Sequence, residues 1–463
     1  MLSITNNILL AYGARAWAIV LALILTPFYI RVLGIESYAI VGITFSIQAI
    51  MCLFDFGFGG ATTLTTASYI ANDRRTEIRN LFRTGEILYW SAALILLGIF
   101  YLFSDVVART WFSNVASDQF DLKKVISLMG GIVIVQWPCI FYNGGLLGLQ
   151  RQDIVNKIQL LSATARALFA VAAITLLSPT IYNFLLAQMI TGFLQTSATA
   201  IALWRLTDGG FWKGRLDKGV FVETGKKALK ISMIAGINIV TLHIDKIVLS
   251  HYLDLKSLGY YCFSWTLVNG IFGLCAILNT IFGPRFSLCV AKKETKELVH
   301  SYHQGAQWMS IIIFPITLFF LFFSREVLTQ WCKNPDVVAN SYVVASLLIA
   351  GTCLSCLGFM PHCLQLAHQW MRLTIVMSAC AFVLYFPTML ILSFSYGMVG
   401  AAIAWVLLQF FFLVIYLHLM HRKLIPEEKK KWLFEDVLLP FAGAFCAAVL
   451  CKWLLGPLLQ KSG

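Results

Sequence analysis

Five charged side chains interrupt stretches that are otherwise apolar: Arg15, Asp55, Arg166, and the neighbours Asp245 and Lys246. A charge at membrane depth is costly, and by default it marks a pathway or a binding site. Around these charges run polar residues at helical spacing. Thr44, Gln48, Asp55, Thr62 and Thr66 fall on one helix face, as do Gln136, Asn143 and Gln150. The same holds for Asn156, Gln159 and Arg166, for Gln188, Thr191, Gln195 and Thr199, and for Asn238, Thr241 and Asp245. Single residues of this kind often join helices by hydrogen bonds. Long stripes on several helices, each with an amide, ask for more partners than mutual packing supplies, and a water-filled cavity would satisfy them.

Amides donate and accept, which suits sugar hydroxyls. The arginine fork suits phosphate. The candidate substrate-binding residues are therefore Arg15, Gln48, Asn143, Gln159, Arg166, Gln188, Gln195, Asn238 and Lys246. Asp55 and Asp245 have two readings: an ion pair with Arg or Lys on a neighbouring helix, or a proton or sodium site coupled to transport. Asp245 and Lys246 lie about 100° apart around a helix, so adjacent numbering does not make them an obvious pair.

Catalytic patterns do not survive inspection. Asp55-Phe56-Gly57 spells a kinase motif but lies inside an apolar stretch, and Gly225-Lys226-Lys227 lacks the upstream glycine and the Ser/Thr of a P-loop. Cys353 and Cys356, followed by His362 and Cys363, have a metal-like spacing without a second Cys or His pair, inside a hydrophobic helix. No catalytic residue, cofactor or metal is expected, and the chain does not read as an enzyme. Without a nucleotide site, work must come from an ion gradient, the membrane potential or the substrate gradient. Trp17, Trp265 and Trp405 lie deep enough to stack on sugar rings, although such rings are more often simply packed.

The elements that must position these residues follow from composition. Of the 463 residues 59% are hydrophobic and 12% charged, against roughly 25% charged in a soluble domain. A lipid-facing surface excludes charge, so the chain reads as an all-α polytopic membrane protein. Apolar runs place helices near 7–30, 38–70, 84–103, 125–149, 154–177, 182–206, 229–249, 258–291, 304–323, 340–366, 371–392 and 397–419. A thirteenth segment follows at 437–455. The runs 38–70 and 258–291 exceed the span of a bilayer, and Gly57, Gly59 and Gly60 mark a kink in the first.

The net charge of +13 would suggest nucleic acid in a soluble protein. Here 23 of the 35 Lys and Arg residues fall in alternate loops, against 9 in the others, which sets orientation with the N-terminus cytoplasmic and speaks against a nucleic-acid partner. The largest loop divides the chain into a six-helix bundle over 1–206, a basic cytoplasmic linker over 207–228, and a second six-helix bundle over 229–420. Residues 421–463 form a charged cytoplasmic segment and an extra membrane helix. Two halves of six helices share one orientation, and a central cavity between them is the expected passage.

The opening resembles a known family. Ala14-Arg15-Ala16, then Pro27-Phe28-Tyr29-Ile30-Arg31-Val32-Leu33-Gly34, Tyr38, Gly42 and Leu53-Phe54-Asp55-Phe56-Gly57 look like the start of polysaccharide transporters, the O-antigen flippases called Wzx. Ile244-Asp245-Lys246 with Leu258-Gly259-Tyr260 resembles the corresponding stretch of that family's second half. The resemblance implies the fold of the multidrug/oligosaccharidyl-lipid/polysaccharide exporter superfamily and alternating access. It also implies an undecaprenyl-pyrophosphate-linked O-antigen repeat unit as substrate, moved from the cytoplasmic to the periplasmic leaflet of a bacterial inner membrane. Membrane lipids and other polysaccharide-assembly proteins are the partners it brings. The rival readings are a cation-coupled multidrug exporter or a peptidoglycan-precursor flippase of the same superfamily. A membrane-embedded polymerase or ligase is a further alternative, though its class would be expected to carry a large outer loop.

Overall fold

A computed structural model describes residues 4–111, 120–207 and 214–459, with side chains described throughout except at 4–11, 107–111, 227, 229–238 and 455–459. Among the described residues the secondary structure is entirely helical, and eleven segments are long and apolar enough to cross a bilayer. Helices dominate because a backbone in hydrocarbon must satisfy its own N–H and C=O groups. Side chains such as Leu102 (74% exposed) and Leu176 (80% exposed) would be untenable in water at this density, and they form the lipid-facing surface.

The first compact unit, Met1–Leu255, contains α1 (Ile4–Leu33), α2 (Ile35–Met51), α3 (Phe58–Ala71), α4 (Arg75–Trp111), α5 (Leu122–Gln136), α6 (Pro138–Gly148), α7 (Gln152–Ala172), α8 (Ile181–Arg205) and α9 (Lys218–Tyr252). This unit takes in both the stretch expected as a linker, 207–228, and the helix expected at 229–249. Asp217 caps α9, accepting from the amides of Gly219 and Val220 at 2.9 and 3.2 Å. Its own amide donates to Thr84 of α4 at 3.0 Å, so the start of α9 is docked.

The long run 38–70 breaks where its glycines indicated. Phe56 (φ 46°) and Gly57 (φ 75°) lie in the left-handed region, which glycine enters without penalty. The helix 258–291 meets its excess length differently. It forms the single α10 (Leu255–Lys292), about 57 Å long at 1.5 Å per residue, with Pro284 inside it. Close contact between α3 and α6 depends on missing side chains: a Cβ on Gly144 would stand 2.2 Å from the carbonyl oxygen of Gly59. Aromatic residues from α4, α6 and α8, among them Phe82, Phe141 and Trp204, fill the core of this unit.

The second unit, Lys256–Gly463, comprises α10 with α11 (Thr295–Cys332), α12 (Pro335–Leu357), α13 (Phe359–Ala367), α14 (Met371–Phe411), α15 (Leu417–Leu424), the short α16 (Lys429–Lys431) and α17 (Leu439–Leu459). The two spans expected at 371–392 and 397–419 are one helical stretch folded back at Gly397, whose φ of 57° and ψ of −136° are non-helical. Wide π-helical turns occur at Phe412–Tyr416 and Trp432–Leu438. Trp265 and Trp405 are buried and meet edge to face at 5.2 Å, which makes them core residues rather than a sugar platform.

Candidate substrate site in the first helical unit

Gln136 ends α5, Arg166 lies mid-way along α7, and Gln195 faces both from α8. The Nη2 of Arg166 donates to Oε1 of Gln136 at 3.0 Å and to Oε1 of Gln195 at 2.5 Å. Its Nε is buried without a hydrogen-bond partner, as is the Nε2 of Gln136. No carboxylate among the described residues pairs with this guanidinium. Neutral carbonyls orient the cation without cancelling it, and unused donors remain on either side of it. That combination is electrostatically suited to an anionic oxygen.

Polar groups continue along α5, α6 and α8 from this point. Thr196 donates to the carbonyl of Val135 at 2.7 Å, Cys139 lies 3.7 Å from the hydroxyl of Thr199, and Asn143 donates to Cys139 at 3.5 Å. One to two turns in the other direction, Gln48 of α2 and Gln188 of α8 line a narrow crevice with Thr44, Phe45, Ile132 and Phe184. Thus Gln48 and Gln188 share one opening, and Arg166 and Gln195 share one hydrogen-bonded cluster on the same helix face. Part of the amide stripe joins α5, α7 and α8 to each other, and part lines this narrow crevice.

The remaining expected site residues fall elsewhere. Arg15 and Gln159 are exposed, on α1 and α7. The side chain of Asn238 lies outside the described residues. Trp17 donates its indole N–H to Thr164 at 2.9 Å and so fastens α1 to α7.

Asp55 is buried, and its partners are neither Arg nor Lys. It accepts from the amide of Gly59 at 3.0 Å and from the hydroxyl of Tyr89, satisfying the opening of α3 and reaching α4. The geometry corrects the reading of Asp245 and Lys246. Lys246 Nζ stands 3.2 Å from Asp245 Oδ1 and 3.4 Å from the carbonyl of Leu242, so they are an ion pair after all. A long flexible stem lets an ammonium fold back across the 100° that separates the two Cα positions.

Sequence reasoning passed over Glu86. This buried carboxylate accepts from Tyr142 at 2.6 Å and from the indole of Trp204 at 3.3 Å, and it pairs with Arg83 at 3.3 Å. It also passed over His303, which bridges Asp436 and Glu428. Both residues lie near span ends, where a charge reads as interfacial, and apart from Arg83 their partners are remote in sequence. Cys353 and Cys356 are buried in α12, and among the described residues no group of three His, Cys, Asp or Glu side chains is placed to hold a metal ion.

Comparison with known proteins agrees with this architecture. The sequence profile of the family described as polysaccharide biosynthesis protein matches residues 31–331. A Shigella flexneri protein with the provisional description of O-antigen transporter is 22% identical over 387 residues, covering 82% of this chain and 88% of that one. Among solved structures, the lipid II flippase MurJ in an inward closed conformation superposes with a TM-score of 0.70 at 11% identity, covering 99% of this chain and 98% of that one. An inward-facing multidrug resistance MATE family transporter of the MOP superfamily gives 0.69 at 12% identity, with 92% and 97% covered. At these identities the structural likeness establishes the fold.

Proposed function

Because the chain belongs to the polysaccharide biosynthesis protein family and has the fold of MOP-superfamily transporters, we propose that it is a flippase for a lipid-linked oligosaccharide. The cargo in this reading is an undecaprenyl-pyrophosphate O-antigen repeat unit. It is carried by alternating access from the cytoplasmic to the periplasmic leaflet of a bacterial inner membrane, with the N-terminus in the cytoplasm.

The observation that carries this reading is the uncompensated guanidinium of Arg166, held by the carbonyls of Gln136 and Gln195. A pyrophosphate oxygen would meet its free Nε–H, and the amides of Gln48, Gln188 and Asn143 would meet sugar hydroxyls. The same positive charge disfavours lipophilic cations, which weighs against a cation-exporting drug pump. Of the two carboxylates offered for proton or sodium coupling, Asp55 is held by Gly59 and Tyr89, and Asp245 by the backbone amide and the ammonium of Lys246.

Deletion of the gene in its own host, followed by measurement of lipid-linked oligosaccharide in each leaflet, tests the assignment. Accumulation in the cytoplasmic leaflet with loss of surface polysaccharide is expected. An unchanged distribution between leaflets in the deletion strain overturns the assignment.

A further inference from the structure

His303, on the third turn of α11, is buried, and both of its ring nitrogens face carboxylates. Nδ1 is 2.5 Å from Asp436 Oδ2, and Nε2 is 2.9 Å from Glu428 Oε2. Gln307, one turn further along α11, donates to the other oxygen of Asp436 at 3.0 Å. Asp436 is fully buried and lies within the π-helical stretch Trp432–Leu438, and Glu428 closes the short turn Pro426–Glu428.

Proton counting decides what this cluster holds. Two hydrogen bonds from a ring to two carboxylates need two protons, and a neutral imidazole carries one. The cluster therefore contains one proton more than neutral histidine and two carboxylates would. A second histidine nearby shows the alternative. His421 faces the carbonyl of Leu417 through Nδ1 at 2.8 Å and the hydroxyl of Tyr302 through Nε2 at 2.8 Å, an arrangement that neutral imidazole satisfies completely.

We propose that His303, Asp436 and Glu428 form a proton-binding clasp that docks the segment Pro426–Leu459 onto α11. With the proton bound, two charge-assisted hydrogen bonds hold the start of the segment. Without it, one carboxylate faces a lone pair across the same distance, and the contact turns repulsive. The far end of α17 is fastened separately: Lys452 donates to the carbonyl of Phe322 at 2.7 Å and lies over the ring of Phe323. Loss of the proton thus frees one end of the segment while the other stays attached.

Among the surrounding groups, Lys431 is a nearby cation but is exposed and forms no ion pair with either carboxylate, and Lys429 is engaged with His418 at 2.7 Å. Arg285 of α10 pairs with Glu297, and His362 of α13 faces Tyr416. Asp336 at the start of α12 pairs with Lys256, and α17 contributes Lys452 at its distant end.

Hydrogen–deuterium exchange of peptides covering 426–440, in the full-length protein in nanodiscs from pH 5 to pH 9, tests the clasp. After correction for intrinsic rates, exchange should rise at least about tenfold toward alkaline pH, the effect of losing one charge-assisted hydrogen bond. Peptides from α5 should not change. His303→Gln should exchange fast at every pH, and His303→Arg, a permanent cation facing both carboxylates, should remain protected at pH 9. If His303→Gln does not fold, Glu428→Gln at the rim of the cluster should flatten the same pH profile. Equal protection of 426–440 across the range in the wild type, or a pH profile unchanged by His303→Arg, overturns the proposal.

Discussion

Arg166 on α7 and Gln195 on α8 are joined by a hydrogen bond of 2.5 Å, in which a buried cation is held by a neutral carbonyl. The amide of Gln136 holds the same nitrogen from α5. Three helices therefore converge on one positive charge that no acid among the described residues offsets.

Arg166→Ala should reduce transport of the lipid-linked sugar at least about tenfold, since hydrogen bonds to charged groups contribute about 1.5–3 kcal/mol each. Arg166→Lys keeps the charge but loses the planar fork, so it should retain an intermediate rate. Flux into proteoliposomes, normalised to the amount of protein inserted, provides the comparison. Alanine and lysine variants with equal, wild-type flux would remove Arg166 from the substrate path.

Gly144→Ala should destabilise the first unit by about 1–3 kcal/mol, because its Cβ would collide with backbone rather than with a yielding side chain. Gly98→Ala makes the matching control. That glycine lies inside α4 with open space around it, and alanine there should be neutral or mildly stabilising. Thermal unfolding in detergent distinguishes them, and equal melting temperatures would contradict the contact between α3 and α6.

Asp55→Ala removes the acceptor for Gly59 and Tyr89 together, and it should lower stability by about 0.5–2 kcal/mol, as loss of a helix cap does. Asp55→Asn keeps an acceptor oxygen and should be milder. The decisive readout is flux through folded Asp55→Asn with and without an imposed ion gradient. A gradient response equal to that of the wild type assigns Asp55 to architecture, and a lost response assigns it to coupling.

Glu86→Leu leaves the hydroxyl of Tyr142 and the indole of Trp204 without their acceptor, with an expected cost of about 1–3 kcal/mol. Glu86→Gln should recover much of this. Unfolding followed by tryptophan fluorescence reports both, and a Leu variant as stable as wild type would show that the carboxylate is dispensable.

Much of the fold was legible because hydrocarbon imposes simple rules. Apolar length placed the spans, and the glycines at 57, 59 and 60 located the break before α3. The amide stripes also proved informative: Gln136, Arg166 and Gln195 came from three separate stripes and meet at one point. Periodicity assigns a residue to a helix face without saying which neighbour that face meets. That is why Gln159, on the same stripe as Arg166, turned out exposed. The pairing of Asp245 with Lys246 depended on how a flexible stem folds, which backbone geometry does not fix. Glu86 and His303 were missed for a third reason: apart from Arg83, their partners lie 56 to 133 positions away and only folding unites them.

The fastening of Asp55 to Tyr89 has a mechanical consequence for the chain break at Phe56 and Gly57. A joint pinned by a side chain from a different helix cannot flex independently. If α3 swings against α2, then α4 must travel with it or the pin must be drawn. For as long as Tyr89 holds Asp55, any swing of α3 against α2 is coupled to α4.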